Sequence, residues 1–151
     1  MNSKIMSGLF TILTLPFPLF ASLGGDTTSV DADQAKMQGT RQTTSSDSYT
    51  VHEIQASTGI AVKEYVSPGG KVFAVTWQGP AHPDLRQLLG TYFDQFTQAV
   101  QAQRAHRRGH GPLLIQLPDL VVQSAGHPRS FLGRAYVPQM LPPGVRAEDL
   151  R

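Results

Sequence analysis

Residues 49–77, YTVHEIQASTGIAVKEYVSPGGKVFAVTW, decide the fold. β-Branched and aromatic residues alternate with polar ones in three runs, 49–56, 60–66 and 71–77. Turn residues separate the runs at 57–59 and 67–70, which is the pattern of consecutive hairpins. Gly59 closes a three-residue loop at the position where a type I turn followed by a bulge needs a positive φ. That turn sets the register: Ile54 lies opposite Val62, His52 opposite Glu64 and Glu53 opposite Lys63. A slip of one residue would set Glu53 against Glu64, and like charges directly opposite each other are destabilising. The Pro68-Gly69 turn in turn predicts Val66 opposite Lys71, Glu64 opposite Phe73 and Val62 opposite Val75.

Alternation then divides the ribbon. One face carries Ile54, Ile60, Val62, Val66, Phe73, Val75 and Trp77, and reads as core. The other carries Val51, Glu53, Lys63, Tyr65 and Thr76, and reads as a polar surface.

Downstream, Pro83 and Asp84 open a helix, with proline in the first turn and an acid near the positive end of the dipole. Leu85, Leu88, Leu89, Tyr92, Phe93, Phe96 and Val100 recur at helical spacing and form one apolar stripe. That stripe is expected to cover the Trp77 side of the ribbon. Gly90 interrupts it at a cost of about 1 kcal/mol. The basic stretch Arg104, His106, Arg107, Arg108, His110 suits a helix C-terminus and a solvated loop. Strands resume at 113–117, 120–124 and 130–137, with Pro118 marking an edge or bend and residues 125–128 a hairpin turn. The predicted fold is α+β: an antiparallel sheet of five or six strands, in the order β-β-β-α-β-β, with one long amphipathic helix on one face.

Upstream, Lys4 precedes an apolar run through Leu13, Leu15, Phe17, Leu19 and Phe20, and small residues follow at Ala21 and Ser22. This is the order of a secretory signal. The run is shorter than a spanning helix needs and is broken by Pro16 and Pro18. Residues 1–21 are therefore expected to be a cleavable signal peptide, with Leu23 and Gly24 offering a second cleavage pattern, and the protein to be exported to the periplasm or beyond. Residues 22–48 read as a flexible polar leader. A short helix at 30–38 fits there, capped by Ser29 or Asp31 with Asp33 in its first turn, but it has too few apolar positions to stand without docking. Residues 49–151 read as a single α+β domain, and no transmembrane segment is expected after cleavage.

Composition narrows the chemistry. With 151 residues, 40% hydrophobic and 16% charged, the chain is globular and holds one domain. The absence of cysteine excludes disulfides, thiol nucleophiles and thiolate metal sites. A net charge of +2, part of it Lys4, gives no strong field for nucleic acid. His106 and His110 are spaced four apart only in a glycine-rich loop, so no metal site is expected, and no nucleophile elbow, phosphate loop or dinucleotide fingerprint appears. No cofactor is implied.

The runs Tyr49 to Glu53, Lys63 to Pro68, Val72 to Pro80 and Pro83 to Gly90, together with Leu23-Gly24-Gly25, resemble an uncharacterised family of exported proteobacterial proteins, domain of unknown function 2844. The resemblance spans essentially the whole chain after the signal. It implies export and carries no known activity.

Three groups of residues are candidates for function. His52 and Glu64 face each other among apolar neighbours, where an imidazole and a carboxylate tune each other's protonation and can act as base or ligand; a structural ion pair is the plainer alternative. Trp77, His82, Asp84 and Arg86 meet where sheet passes to helix, although Asp84 also reads as a simple cap. Glu53, Lys63 and Tyr65 mark the polar face of the sheet. The leading expectation is a non-catalytic binding module for a small molecule or an envelope protein. The alternatives are a small hydrolase using His52 with Glu64, and a subunit of an envelope assembly docking through the leader.

Overall fold

The computed structural model describes residues 23–104 and 111–151. The signal-like segment 1–21 and the basic residues His106, Arg107, Arg108 and His110 lie outside the described residues. The chain forms helix α1 (Thr27–Met37), strands β1 (Thr40–Ser45), β2 (Thr50–Gln55), β3 (Ala61–Val66) and β4 (Val72–Gly79), and helices α2 (Leu85–Leu89) and α3 (Phe93–Arg104). Strands β5 (Leu113–Gln116), β6 (Val121–His127) and β7 (Ser130–Tyr136) follow. The seven strands make one antiparallel sheet in the order β1-β2-β3-β4-β7-β6-β5.

The α+β class and the helix on the core face are as the sequence implies, and the strand count is not. The seventh strand is β1, inside the segment read as a flexible leader. It is exposed at every position and has no apolar alternation to announce it. Backbone pairing with β2 along its whole length builds it, from Thr40 opposite Gln55 to Ser45 opposite Thr50. The leader helix also starts earlier than expected. Asp26 caps α1, accepting from the Thr28 amide at 3.0 Å, so Asp33 falls past the first turn and into the protein.

The first hairpin has the expected register, with Ile54 opposite Val62, Glu53 opposite Lys63 and His52 opposite Glu64. Gly59 sits at φ 84° in the turn. The second hairpin differs. Its turn pairs Ser67 with Lys71 rather than Val66 with Lys71, so Val66 lies opposite Val72. A β-bulge then sets Phe73 and Ala74 together against Tyr65, and beyond it Glu64 meets Val75 and Val62 meets Trp77. The bulge leaves Val75 and Trp77 on the expected core face but turns Phe73 to the other one. Phe73 was read as core-face, and it packs instead with Tyr49 and Tyr65, ring centroids 6.0 and 6.2 Å away.

Each face of the sheet therefore has its own cluster. On the first, Ile54, Val62, Val75 and Trp77 pack with Leu88, Leu89 and Phe96 of the helices, with Val30 of α1 and with Val122 and Ala135 across the sheet. The helical segment is bent, because Gly90 leaves helical space at φ 52°, ψ −121° and a single 3-10 turn, Gly90–Tyr92, links α2 to α3. On the second face, Tyr65, Phe73 and Ala74 are covered by the C-terminal segment through Leu150, with Leu141 and Val145 alongside. The Tyr65 hydroxyl donates to the Arg151 carbonyl at 2.6 Å and accepts from the Arg151 amide at 3.0 Å, closing that segment onto β3.

One position ties the two sheet halves together. Gly133 of β7 pairs with Trp77 of β4, and a Cβ built on it would lie 2.3 Å from the indole Cζ2. The ring occupies the space a side chain would need. Gly133→Ala is expected to cost about 3 kcal/mol, the upper end of the range for overpacking, and urea unfolding followed by the emission of the single tryptophan measures it.

Candidate functional site

Glu64 and His52 are neighbours across β2 and β3, as the hairpin turn dictates. Their surroundings are not those of a simple pair. His52 is 8% exposed and Glu64 0%. The His52 Nδ1 shares a hydrogen bond with Thr43 Oγ1 of β1 at 3.0 Å, and burial together with the nearby Arg41 guanidinium lowers its pKa, so the ring is held neutral.

The partner of Glu64 is Asp33, from the middle of α1, itself 0% exposed. Asp33 Oδ1 accepts from Gln87 Nε2 of α2. The remaining oxygens, Asp33 Oδ2 and both of Glu64, have no N–H or O–H donor among the described residues. Two ionised carboxylates could not be held this way, whereas one proton shared between them supplies the missing donor. The Glu64 carboxyl is pushed up to about 9, first by burial and then by the charge of Asp33 and the hydrogen bond to it. The Asp33 carboxyl is also raised by burial, against the opposing pull of its hydrogen bonds to Glu64 and Gln87. One proton thus fastens α1 to β3 and, through Gln87, to α2. Asp33 and Gln87 escaped the sequence reading because a carboxylate in a polar segment reads as surface. The signal available was Glu64 itself, an acid at a core-face position and so in need of a partner.

The residues at the passage from sheet to helix do not converge. Asp84 caps α2, accepting from the amides of Arg86 at 2.9 Å and Gln87 at 3.2 Å. The Arg86 guanidinium lies 4.4 Å over the Phe93 ring, and the His82 ring stacks on Phe131 at 4.1 Å. Trp77 is buried in the core. Asp84, Arg86 and His82 are each engaged locally, whereas the buried Trp77 indole Nε1 has no hydrogen-bond partner among the described residues.

The second face of the sheet is different. Register sorts its side chains into three parallel rows. Val121, Tyr136, Ala74, Tyr65 and Val51 form the first, which the C-terminal segment covers in part. Leu114, Gln123, Arg134, Thr76, Lys63 and Glu53 form the second. Ala125, Leu132, Gln78 and Ala61 form the third. The second and third rows border an open trough of about 550 Å³, with Leu150 and Arg151 at its edge. Lys63 and Glu53 form a cross-strand ion pair at 3.8 Å. Tyr65, grouped with them in the sequence reading, is instead buried at 2% exposure under the tail, because Phe73, turned to this face by the bulge, joins it in an aromatic cluster that the tail covers. The exposed large apolar side chains among the described residues are Leu114, 42% exposed, and Leu132, 56% exposed, and both border this trough.

Fold and site together define a small seven-stranded α+β protein with a sealed acid pair on one face of its sheet and an open trough on the other. The chain belongs to the family described as Protein of unknown function (DUF2844), whose model matches residues 19–150. No curated protein and no solved structure matches it. Among the described residues no helix is long and apolar enough to cross a membrane.

The shared proton has a sign that can be measured. Folding raises the carboxyl pKa from the ordinary value to about 9, so between those values the folded state holds a proton that the unfolded state has lost. Stability therefore falls as pH rises. Below 6.5 the lowered pKa of His52 acts in the opposite sense, leaving pH 7 to 9 as the window in which the acid pair stands alone. Urea unfolding there is expected to show a loss of about 1.4 kcal/mol per pH unit. Glu64→Gln supplies a permanent donor to Asp33 and should flatten that slope.

Proposed function

We propose that this chain is an exported, non-catalytic binding module that holds a small, largely apolar ligand in the trough on the second face of its sheet. The observation that carries the reading is that Leu114 and Leu132, the exposed large apolar side chains among the described residues, lie on the same open trough instead of being scattered. Isolated exposed leucines need no explanation; two bordering one concavity do. A volume of about 550 Å³ falls within the range of about 300–1,000 Å³ of small-molecule sites.

A binding role is favoured over hydrolysis by the state of the acid pair. Glu64 lies beneath α1 with its carboxyl against Asp33, and His52 is engaged with Thr43, so neither presents a free face to a substrate. Export rests on the order of Lys4, the apolar run to Phe20 and the small residues Ala21 and Ser22.

Two measurements test this reading. A neutral naphthylamine dye titrated into the protein should show enhanced emission, and Leu132→Asp should weaken its binding by about tenfold, since a charge buried against an apolar ligand is left unpaired. Unchanged affinity in that variant would remove the trough from consideration. For export, residues 1–25 placed ahead of a reporter enzyme active only outside the cytoplasm should give activity, and replacing Leu13 and Leu15 by Asp should abolish it.

A further inference from the structure

We propose that the trough selects a single-chain amphiphile with one negative charge, an alkyl carboxylate, whose head meets Arg134 and whose chain lies along the row of Ala125, Leu132 and Ala61. This rests on the reading of the trough as a ligand site and adds the chemistry of the ligand.

The head group follows from the charges. Arg134 stands near the middle of the second row, between Gln123 and Thr76, and is half-buried. Its Nε donates to Gln123 Oε1 at 2.6 Å and its Nη1 to the Ala147 carbonyl, both neutral acceptors. Among the described residues it has no ion pair, so its charge is held in place and left uncompensated. A guanidinium has five N–H donors, and those still available point to an anion as the missing partner. The other cation in the row, Lys63, faces Glu53 at 3.8 Å and is already balanced. One net positive charge remains in the row and the Arg151 guanidinium stands at the trough's edge, so the missing partner is an anion, for which a carboxylate is the simplest head.

The chain follows from the register. Ala125, Leu132, Gln78 and Ala61 stand side by side on β6, β7, β4 and β3, directly beside the Arg134 row. Four adjacent strands span about 14 Å at their usual spacing. Alanine at both ends keeps that strip low, Leu132 supplies apolar contact in it, and Leu114 extends the apolar border at β5. Among the described residues the aromatic side chains of this face, Tyr49, Tyr65, Phe73 and Tyr136, belong to the cluster under the C-terminal segment rather than to the trough. The surface is thus largely apolar along one side, with Gln78 between Leu132 and Ala61, and cationic along the other.

Isothermal titration with dodecanoate, dodecyl maltoside and dodecyltrimethylammonium, each kept below micelle formation, tests this. The expected order is carboxylate first, about tenfold tighter than the neutral maltoside, with the cation weakest, as one charge-assisted hydrogen bond provides. Arg134→Gln should erase the preference for carboxylate while leaving maltoside affinity unchanged, and Arg134→Lys should keep part of it. Leu132→Asp, at an exposed position that leaves the core intact, should weaken dodecanoate most. Equal affinity for the three heads, or a carboxylate preference that survives Arg134→Gln, would overturn the anionic assignment while leaving the trough a binding site. If none of the three binds, the trough reading itself falls.

Discussion

A strand of alternating side chains always makes two faces, and a seven-stranded sheet makes two large ones. Everything else in this molecule follows from how they are covered. On one side α1, α2 and α3 pack over Ile54, Val62, Val75 and Trp77. On the other, among the described residues, the segment after β7 covers the part of the sheet where the bulge at Phe73 has added an extra aromatic ring. The Tyr65 hydroxyl, bonded twice to the Arg151 backbone, pins the end of that cover. What lies beyond Leu150 is the open trough, whose floor is partly polar and which no described residue covers. The trough is thus the part of this face that the described segment after β7 does not reach.

The core side has its own constraint, set by the first hairpin. Once Gly59 fixes the turn, Glu64 has no choice but to face inward with Val62, and an ionised carboxylate there without a partner would cost several kcal/mol. The chain answers with a second acid rather than a base. Asp33 from α1 shares a proton with Glu64, and Gln87 anchors the pair from α2. Three elements distant in sequence converge on one hydrogen-bonded group, which fixes where the weakly amphipathic α1 docks. Val30 of the same helix, fully buried in the core, supplies the apolar part of that contact.

How much of this the sequence discloses depends on which force sets each feature. The first hairpin is legible because turn geometry and cross-strand charge agree, and the core-face helix is legible because its apolar spacing is strong. The strand count is not, since β1 is a row of Thr, Arg, Gln and Ser held by backbone pairing alone. Phe73 lies on the unexpected face because a bulge breaks the alternation from which faces are read. Tyr65 is buried because a proline-rich segment with no periodicity folds over it. The trough left a trace that alternation could have exposed: Leu114 and Leu132 are apolar at positions of the parity shared by Gln123, Arg134 and Thr76. Asp33 left none, because only tertiary packing distinguishes a buried aspartate from the solvated ones around it.

The sheet also separates its two chemistries. Lys63 and Glu64 are consecutive on β3 and therefore point to opposite faces, one toward the trough and the other into the acid pair. Thr76 and Val75 repeat that division on β4. The paired backbone of β3 and β4 stands between them. The acid pair and the proposed ligand site thus lie on opposite sides of one strand, and the charge at the trough comes from an arginine that does not titrate.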